Sequence, residues 1–266
     1  MKHLLFRTLV LLVIGYVLIC ILLFFLQEKL IFFPDKLSKD YRFRFNRPFE
    51  ELFIQGPGGK LLNGVLFTIH SSKGLVFYLH GNAGSLDSWG EVAGTYTDLG
   101  YDVFLLDYPG YGKSEGVLRS QDQLFGAVQA AYDALKKRYS EQRIVVLGYS
   151  IGSAPAAHLA AANHPRLLIL QAPFYSLTDM ARRHYPLVPP FILRYRLETY
   201  KYLQDCPMPV VLFHGDRDEV VNYQSSVRLR RLLQPADTLV TLHGQGHNGM
   251  TENPQYQSAL ARILDR

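Results

Sequence analysis

Mostly apolar runs of about five residues alternate with segments of helical periodicity along most of the chain. Runs such as LVFYL, VFLLD and IVVLG have the length of strands, and their continuous apolar character is typical of strands covered on both faces. We therefore predict strands at 51–54, 65–69, 75–79, 103–107, 144–148, 167–170, 210–214 and 239–242. Apolar residues at helical spacing predict helices at 86–99, 121–138, 151–163, 224–233 and 254–264.

This alternation predicts an α/β domain with a mostly parallel sheet of about eight strands and helices on both faces. One stretch interrupts it, because about forty residues separate the strands predicted at 167–170 and 210–214. The stretch is basic, aromatic and rich in proline, and it contains the sequence ARRHYPLVPPFILRYRLETYKYL. A simple helical crossover is shorter, so we predict a small cap at about 174–206. An ordinary helical insertion with a solvated basic face is the alternative.

The N-terminal region contains 19 consecutive uncharged residues, at 8–26. As a helix this run reaches about 28 Å, close to the ~30 Å hydrocarbon thickness of a bilayer. A cleaved signal peptide has a shorter apolar region and a small-residue cleavage site. We therefore predict an uncleaved transmembrane anchor rather than a signal peptide or a buried core helix. The apolar residues at 30–33 are expected to lie at the membrane interface.

Basic residues are concentrated around this span. The net charge of the chain is +5, and residues 1–47 contain eight Lys or Arg and three Asp or Glu, which accounts for the whole excess. The charge therefore favours a membrane surface over a nucleic acid as partner. Lys2 and Arg7 precede the span and six basic residues follow it, so the positive-inside rule leaves the side of the membrane open.

These features predict two parts of the chain, a membrane anchor with a basic juxtamembrane segment at 1–47 and an α/β domain at 48–266. Because every predicted strand lies after Glu50, we expect a fragment that begins near Asp40 to keep its fold and its site. The apolar content, 48% of residues, excludes general disorder. Two cysteines, Cys20 and Cys206, cannot form a disulfide framework or a Cys-rich zinc site.

A G-x-S-x-G sequence, Gly148-Tyr149-Ser150-Ile151-Gly152, follows the strand predicted at 144–148 and precedes a helix. In such a tight strand-to-helix turn the serine is strained, and the glycines remove side chains that would clash. The turn presents the serine hydroxyl at a helix N-terminus, where backbone N–H groups favour a developing anion. Ser150 is therefore a candidate nucleophile.

A serine nucleophile needs a base and a carboxylate that orients the base. His247 lies in the flexible loop GQGHNG after the last strand, where a doubly wound sheet places its site, and His243 is the rival. Both Asp216 and Asp218 follow the strand predicted at 210–214, and the residues alone leave the choice open. The chain order is serine, aspartate, histidine.

Together these motifs resemble the α/β-hydrolase superfamily and, within it, the Bem46-like membrane-anchored hydrolases. The resemblance rests on QEKLIFFP after the span, HGNAG at 80–84, DYPGYGKSEG at 107–116, GYSIGS at 148–153, HGDRDEVV at 214–221 and GHN at 246–248. It implies that Asp218 is the acid of a Ser-His-Asp triad and that Asp216 is a turn residue. It also implies that the backbone N–H groups of Asn82 and Ile151 form an oxyanion hole.

The resemblance predicts a serine hydrolase that cleaves ester, thioester or amide bonds through an acyl-enzyme, without a metal or organic cofactor. The anchor suggests small acyl or lipid-like substrates near a membrane. A serine peptidase is one alternative, and a non-catalytic, membrane-tethered binding module on the same fold is another. Asp107, in DYPGYG, is expected to be a buried carboxylate that holds a Gly-rich turn rather than a catalytic acid.

Overall fold

A central sheet of eight strands organises the computed structural model, which describes residues 1–265. Arg266, the last residue of the domain predicted at 48–266, lies outside the described residues. All ten strands of residues 1–265, in chain order, are β1 (Phe33–Pro34), β2 (Phe49–Gln55), β3 (Leu61–Phe67), β4 (Leu75–Leu79), β5 (Ala83–Gly84), β6 (Asp102–Leu106), β7 (Ile144–Tyr149), β8 (Leu167–Gln171), β9 (Val210–Gly215) and β10 (Thr238–Leu242). Strands β1 and β5 form a separate pair outside the central sheet.

The α-helices surround this sheet and supply the N-terminal extension. They are α1 (Lys2–Ile31), α2 (Leu86–Trp89), α3 (Ala93–Thr97), α4 (Gln121–Lys136), α5 (Ser153–Ala162), α6 (Leu177–His184), α7 (Thr199–Tyr202), α8 (Gln224–Arg230) and α9 (Pro254–Leu264). The helix predicted at 86–99 is divided into α2 and α3 by a 3₁₀ turn at Gly90–Val92. A Cβ at Gly90 would lie 2.3 Å from the ring of Phe45, so this turn fits closely against the N-terminal segment.

The order of the strands across the main sheet is β10-β9-β8-β7-β4-β6-β3-β2. All neighbours are parallel except β2 with β3 and β3 with β6, which confirms the predicted fold class. Alternate residues of β4 belong to two separate core clusters, with Phe77 on one face and Tyr78 on the other. Helices therefore cover both faces, as the continuous apolar runs predicted.

Helix α1 is 30 residues long, and among residues 1–265 it is the one helix long and apolar enough to cross a membrane. Length and composition alone allow either an anchor or a signal sequence.

The segment after α1, residues 32–47, packs on the α/β domain, and we call it the strap. Its first residues form β1, which pairs in parallel with β5. The strap also buries the aromatic rings of Phe32 and Phe43. The N–H of Leu37 donates to the carbonyl of Gly112, whose own N–H donates to the carbonyl of Asp35. The segment predicted as a basic juxtamembrane linker is thus held by backbone pairing and by apolar burial.

Residues 172–209 hold α6, α7 and two 3₁₀ turns, where the sequence predicts the cap. This cap contacts α1, because the Gln27 side chain donates to the carbonyl of Ile192 and accepts from the N–H of Arg194. Arg194 also forms an ion pair with Glu28. The end of α1, the strap and the cap are therefore connected.

Candidate active site

The turn between β7 and α5 holds Ser150 in a left-handed backbone conformation, with φ of +52°. A Cβ at Gly148 would lie 2.3 Å from the carbonyl oxygen of Gly152, and a Cβ at Gly152 would lie 2.2 Å from that of Leu79. Both positions therefore require glycine, which explains the G-x-S-x-G spacing in steric terms. Such strain in a non-glycine residue is typical of functional sites.

His247 lies in the loop after β10 and is almost fully buried. Its Nε2 atom is 3.0 Å from the Oγ atom of Ser150, within hydrogen-bond distance. The hydroxyl of Tyr149, the residue before Ser150, donates to the carbonyl of His247 over 2.6 Å. The serine turn and the histidine loop are thus fixed to each other by a second hydrogen bond.

Asp218 stands on the other side of the imidazole, with its Oδ2 atom 2.7 Å from Nδ1 of His247. Its Oδ1 atom accepts the N–H groups of Val220 and Val221, at 2.9 and 2.8 Å. Burial raises the pKa of Asp218, but hydrogen bonds from His214 and His247 outweigh it and hold the pKa well below the usual range. The carboxylate is therefore ionised at neutral pH and orients Nδ1–H of His247.

His214 is a second histidine beside Asp218, and it was not among the candidate site residues. It is fully buried, and its Nε2 atom lies 2.8 Å from the carbonyl of Val221 and 3.3 Å from Oδ2 of Asp218. Its Nδ1 atom lies 2.6 Å from the hydroxyl of Ser226. The signal in the sequence was its place four residues before Asp218 in the HGDRD motif.

The two rival candidates, Asp216 and His243, pair with each other at the surface. Their Oδ2 and Nδ1 atoms are 2.9 Å apart, and Oδ1 of Asp216 accepts the N–H of Gly244. The imidazole of His243 is 76% exposed, whereas His247 is buried against Ser150. The hydrogen bond from His243 lowers the pKa of Asp216. This second pair ties the turn after β9 to the loop after β10.

Asn82 follows β4 and Ile151 follows Ser150, and the two segments are adjacent because β4 and β7 are neighbours and Leu79 pairs with Gly148. Among the hydrogen bonds of residues 1–265, neither the N–H of Asn82 nor that of Ile151 has an acceptor. Both N–H groups are thus free to donate, as the N–H groups of an oxyanion hole must be.

Four hydrogen bonds hold the loop that carries Asn82. The Asn82 carbonyl accepts the N–H of Phe33 at 2.9 Å and the hydroxyl of Tyr111 at 2.7 Å. The Asn82 side chain donates to the carbonyl of Ile31, the last residue of α1. The indole N–H of Trp89 donates to the carbonyl of Ala83. The strap, which the sequence analysis placed outside the domain, is thus one of the supports of this loop.

Asp107 is fully buried, and its Oδ1 atom accepts the N–H of Leu86 at 3.0 Å. Burial raises the pKa of Asp107 well above its usual value, and the hydrogen bond from the N–H of Leu86 opposes this shift. Burial also lowers the pKa of the neighbouring His80 to about 4. A Cβ at Gly112 would lie 1.8 Å from Oδ2 of Asp107, so the carboxyl packs directly against the Gly-rich turn. Its contacts are those of a residue that holds the turn.

In the part of the chain that the structure describes, no group of three or more His, Cys, Asp or Glu side chains is arranged to hold a metal ion. The polar groups around Ser150 are instead joined in one line from hydroxyl to imidazole to carboxylate. Such a line transfers a proton from an oxygen nucleophile to a nitrogen base.

Comparison with known proteins matches the chain to a family and to several relatives. Residues 70–204 match the family described as serine aminopeptidase, S33. The chain is 30% identical over 230 residues to an uncharacterized protein of Mycobacterium tuberculosis, covering 84% of this chain and 80% of that protein. It is 29% identical over 203 residues to human alpha/beta hydrolase domain-containing protein 17B, covering 74% and 68% of the two chains.

Solved structures agree on the fold. An esterase of Pyrococcus furiosus superposes with a TM-score of 0.70 at 20% identity, covering 89% of this chain and 97% of the esterase. Est1E of Butyrivibrio proteoclasticus gives a TM-score of 0.66 at 19% identity, covering 80% and 97%. The chain therefore belongs to the α/β-hydrolase superfamily, within the family described as serine aminopeptidase, S33, and is a hydrolase of the α/β type.

Proposed function

We propose that the protein is a membrane-anchored serine hydrolase, of the Bem46-like type, that cleaves acyl esters or thioesters through an acyl-enzyme. The observation that carries this proposal is the hydrogen-bonded line from Ser150 through His247 to Asp218, with distances of 3.0 and 2.7 Å. All three side chains are at least 90% buried, so their positions are fixed by packing.

In the first half of the reaction, Oγ of Ser150 attacks the acyl carbonyl carbon while its proton moves to Nε2 of His247. The carbonyl electron pair moves to the oxygen and forms a tetrahedral oxyanion. When the intermediate collapses, the bond to the leaving group breaks and Nε2–H protonates that group. A water molecule then repeats the sequence on the acyl-enzyme, with His247 as base, and releases the acid and free Ser150.

Asp218 holds the tautomer of His247 in which Nε2 is free to accept the serine proton, and it stabilises the imidazolium that forms. The N–H groups of Asn82 and Ile151 stabilise the oxyanion, and loss of one such donor typically raises the barrier by about 2.7–4 kcal/mol. These are backbone groups, so their catalytic contribution depends on the position of the loop rather than on the Asn82 side chain.

The proposed substrates are small acyl or lipid-like molecules at a membrane. Helix α1 supplies an apolar stretch long enough to anchor the protein, and its last residue contacts Asn82. A substrate that leaves the bilayer beside α1 thus arrives at the proposed oxyanion hole. We also propose that the catalytic domain includes the strap, so that the boundary with the anchor falls near residue 31 rather than 47.

Two other functions use the same fold. A serine peptidase would use the same residues on an amide, and the family description names aminopeptidases. A membrane-tethered binding module would use the fold without turnover. The intact line of hydrogen bonds at Ser150 favours catalysis, and the lipid setting of α1 favours acyl substrates over peptides.

A fluorophosphonate probe on the full-length protein in detergent separates catalysis from binding. We expect labelling of the wild type and of Ser258→Ala, an exposed serine on α9, and none of Ser150→Ala. His247→Ala should lose labelling while its matched control His243→Ala keeps it. Folded wild-type protein that takes no label would overturn the enzymatic proposal.

A substrate panel then separates the hydrolase classes. We expect turnover of p-nitrophenyl esters of increasing chain length and no turnover of aminoacyl p-nitroanilides. Asp218→Asn should lose most of this activity with its fold retained, and the matched variant Asp216→Asn should keep most of it. Preference for the anilides would replace the esterase by the peptidase.

A further inference from the structure

The cap carries an apolar loop at residues 185–193, with the sequence YPLVPPFIL, which we call the apical loop. Leu187 and Phe191 are each 81% exposed, and Tyr185 is 66% exposed. Three exposed large side chains within nine consecutive uncharged residues form the kind of exposed apolar surface that marks a binding site.

The apical loop runs beside α1. The hydroxyl of Tyr16 donates to the carbonyl of Leu187 over 2.7 Å, near the middle of the uncharged run of α1 at 8–26. At the other end of the loop, Gln27 contacts Ile192 and Arg194. Tyr16 and Gln27 are about 16 Å apart along the helix axis at 1.5 Å per residue. The loop therefore extends beside α1 for about half the thickness of a hydrocarbon core.

Of the six N–H groups of the apical loop, four have an acceptor among residues 1–265 and those of Leu187 and Phe191 have none, and each unpaired N–H group is costly in an environment without water. Three of its residues are prolines, which have no N–H. The other N–H groups that are paired donate to backbone carbonyls and belong to Tyr185, Val188, Ile192 and Leu193. The carbonyls of Leu187 and Ile192 accept from α1 side chains.

Basic residues flank the apical loop on both sides. Arg182 and Arg183 end α6 just before the loop and are exposed, and Arg194 follows it. Lys29 is exposed at the end of α1. Cations at the edge of an apolar element extend to the headgroups of a bilayer and bind anionic lipid. The apolar loop and its basic border match the two layers of a membrane surface.

We infer that the apical loop inserts into the bilayer beside α1, so that the cap is a second membrane-embedded element. The inference rests on the proposed anchoring of α1 and adds a second contact with the lipid. The anchor then has one orientation relative to the catalytic domain, because helix and loop enter the same leaflet together. The strap and the proposed oxyanion loop lie where both elements leave the membrane.

The test uses the full-length protein in phosphatidylcholine vesicles, with an environment-sensitive fluorophore on single cysteines and a nitroxide on the lipid acyl chains. Labels are placed on Leu187→Cys and Phe191→Cys, in a background in which Cys20 and Cys206 are alanine. Native Cys20, with Cys206→Ala alone, reports the depth of α1. Ser258→Cys on α9 is the aqueous control.

We expect the labels at 187 and 191 to be blue-shifted and quenched by the lipid nitroxide as strongly as the label at Cys20. Quenching at Cys20 with emission at 187 and 191 like that of the control overturns the insertion and leaves the anchor intact. A blue shift at 187 without quenching overturns it too, because protein, such as a second copy of the chain, then covers the loop. Absence of quenching at Cys20 overturns the anchor itself and with it the premise of the insertion.

Discussion

The carbonyl of Asn82 offers a direct test of how the strap acts on the proposed oxyanion hole. It accepts two hydrogen bonds, from the N–H of Phe33 and the hydroxyl of Tyr111. Phe33→Pro removes the first donor, and Phe33→Ala is its matched control because it keeps the N–H. The preceding residue, Phe32, has ψ of 128°, which suits a residue before proline, and the Phe33 side chain is half exposed. Tyr111→Phe removes the second donor.

The magnitude follows from the number of donors that remain. One hydrogen bond contributes about 0.5–1.5 kcal/mol net, which corresponds to roughly two- to tenfold in rate if all of it acts on the transition state. Each single variant leaves the carbonyl with one donor. The double variant leaves this partly buried carbonyl with neither, so its loss should exceed the product of the single losses. Complete loss of one oxyanion donor sets the ceiling at about 10²–10³-fold in kcat.

The assay is the turnover of a soluble p-nitrophenyl ester in detergent, with kcat normalised to sites titrated by fluorophosphonate. We expect Phe33→Pro to lower kcat with KM unchanged, and Phe33→Ala to match the wild type. Equal kcat in the proline and alanine variants would refute the reasoning, since the N–H of Phe33 would then have no effect on the rate of the reaction. Simple multiplication of the two single losses would show that the donors do not act on one shared group.

Three further outcomes follow from the structure. A fragment that begins at Asp40 lacks β1 and its bonds to the Asn82 loop. We expect it to turn over a soluble ester about tenfold or more slowly than a fragment that begins at Gln27. Equal rates of the two fragments would show that β1 is dispensable. His214→Asn weakens the support of Asp218, so kcat per titrated site should fall about tenfold, whereas a purely structural role lowers only the melting temperature. Burial raises the pKa of Asp107 above its unfolded value of about 3.9, so the wild type should lose stability relative to Asp107→Asn as the pH rises from about 4. Urea unfolding at pH 5 to 8 measures this difference in stability. A difference that does not change with pH contradicts the raised pKa.

The interior of the sheet was predictable because its strands are buried on both faces. The strand predicted at 75–79 coincides with β4, and the helix predicted at 254–264 coincides with α9, which begins at a proline after an Asn cap. The division of the helix predicted at 86–99 was missed, because it depends on the contact between Gly90 and a ring from the strap. Periodicity reports burial along one element and carries no information about a distant segment.

The two-residue strands β1 and β5 lie below the length at which any pattern is visible. Both residues of β1 are exposed, so no alternation distinguishes them from a loop. Their pairing exists only because the end of α1 brings the strap beside the loop that carries Asn82. The placement of residues 30–33 at a membrane interface stays a prediction, and the structure adds protein contacts there, because Phe32 is buried and the N–H of Phe33 donates to the carbonyl of Asn82.

Ser150 was the most predictable residue of the site, because a local steric rule requires the glycines at its sides. The choice between His247 and His243 was harder, since the two lie four residues apart and the sequence does not show which side chain reaches Ser150. The structure brings His247 to Ser150 and pairs His243 with Asp216. His214 was overlooked because its contact with Asp218 forms only once the turn after β9 is folded.

The contacts at the end of α1 give the proposed anchor a role beyond attachment. Ile31 ends α1 and Phe33 begins β1, and both bond to Asn82. The carbonyl of Ile31 accepts from the Asn82 side chain, and the N–H of Phe33 donates to the Asn82 carbonyl. An anchor joined by a flexible linker would leave the orientation of the site to chance, whereas this connection transmits the position of the helix to the loop. If the apical loop enters the same leaflet, helix and loop meet the bilayer at two points and the site cannot rotate away from it. Under the proposed function, an acyl ester in that leaflet then has a short path to Ser150, because the strap is paired with the domain through β1 and does not join the helix to it as a free linker.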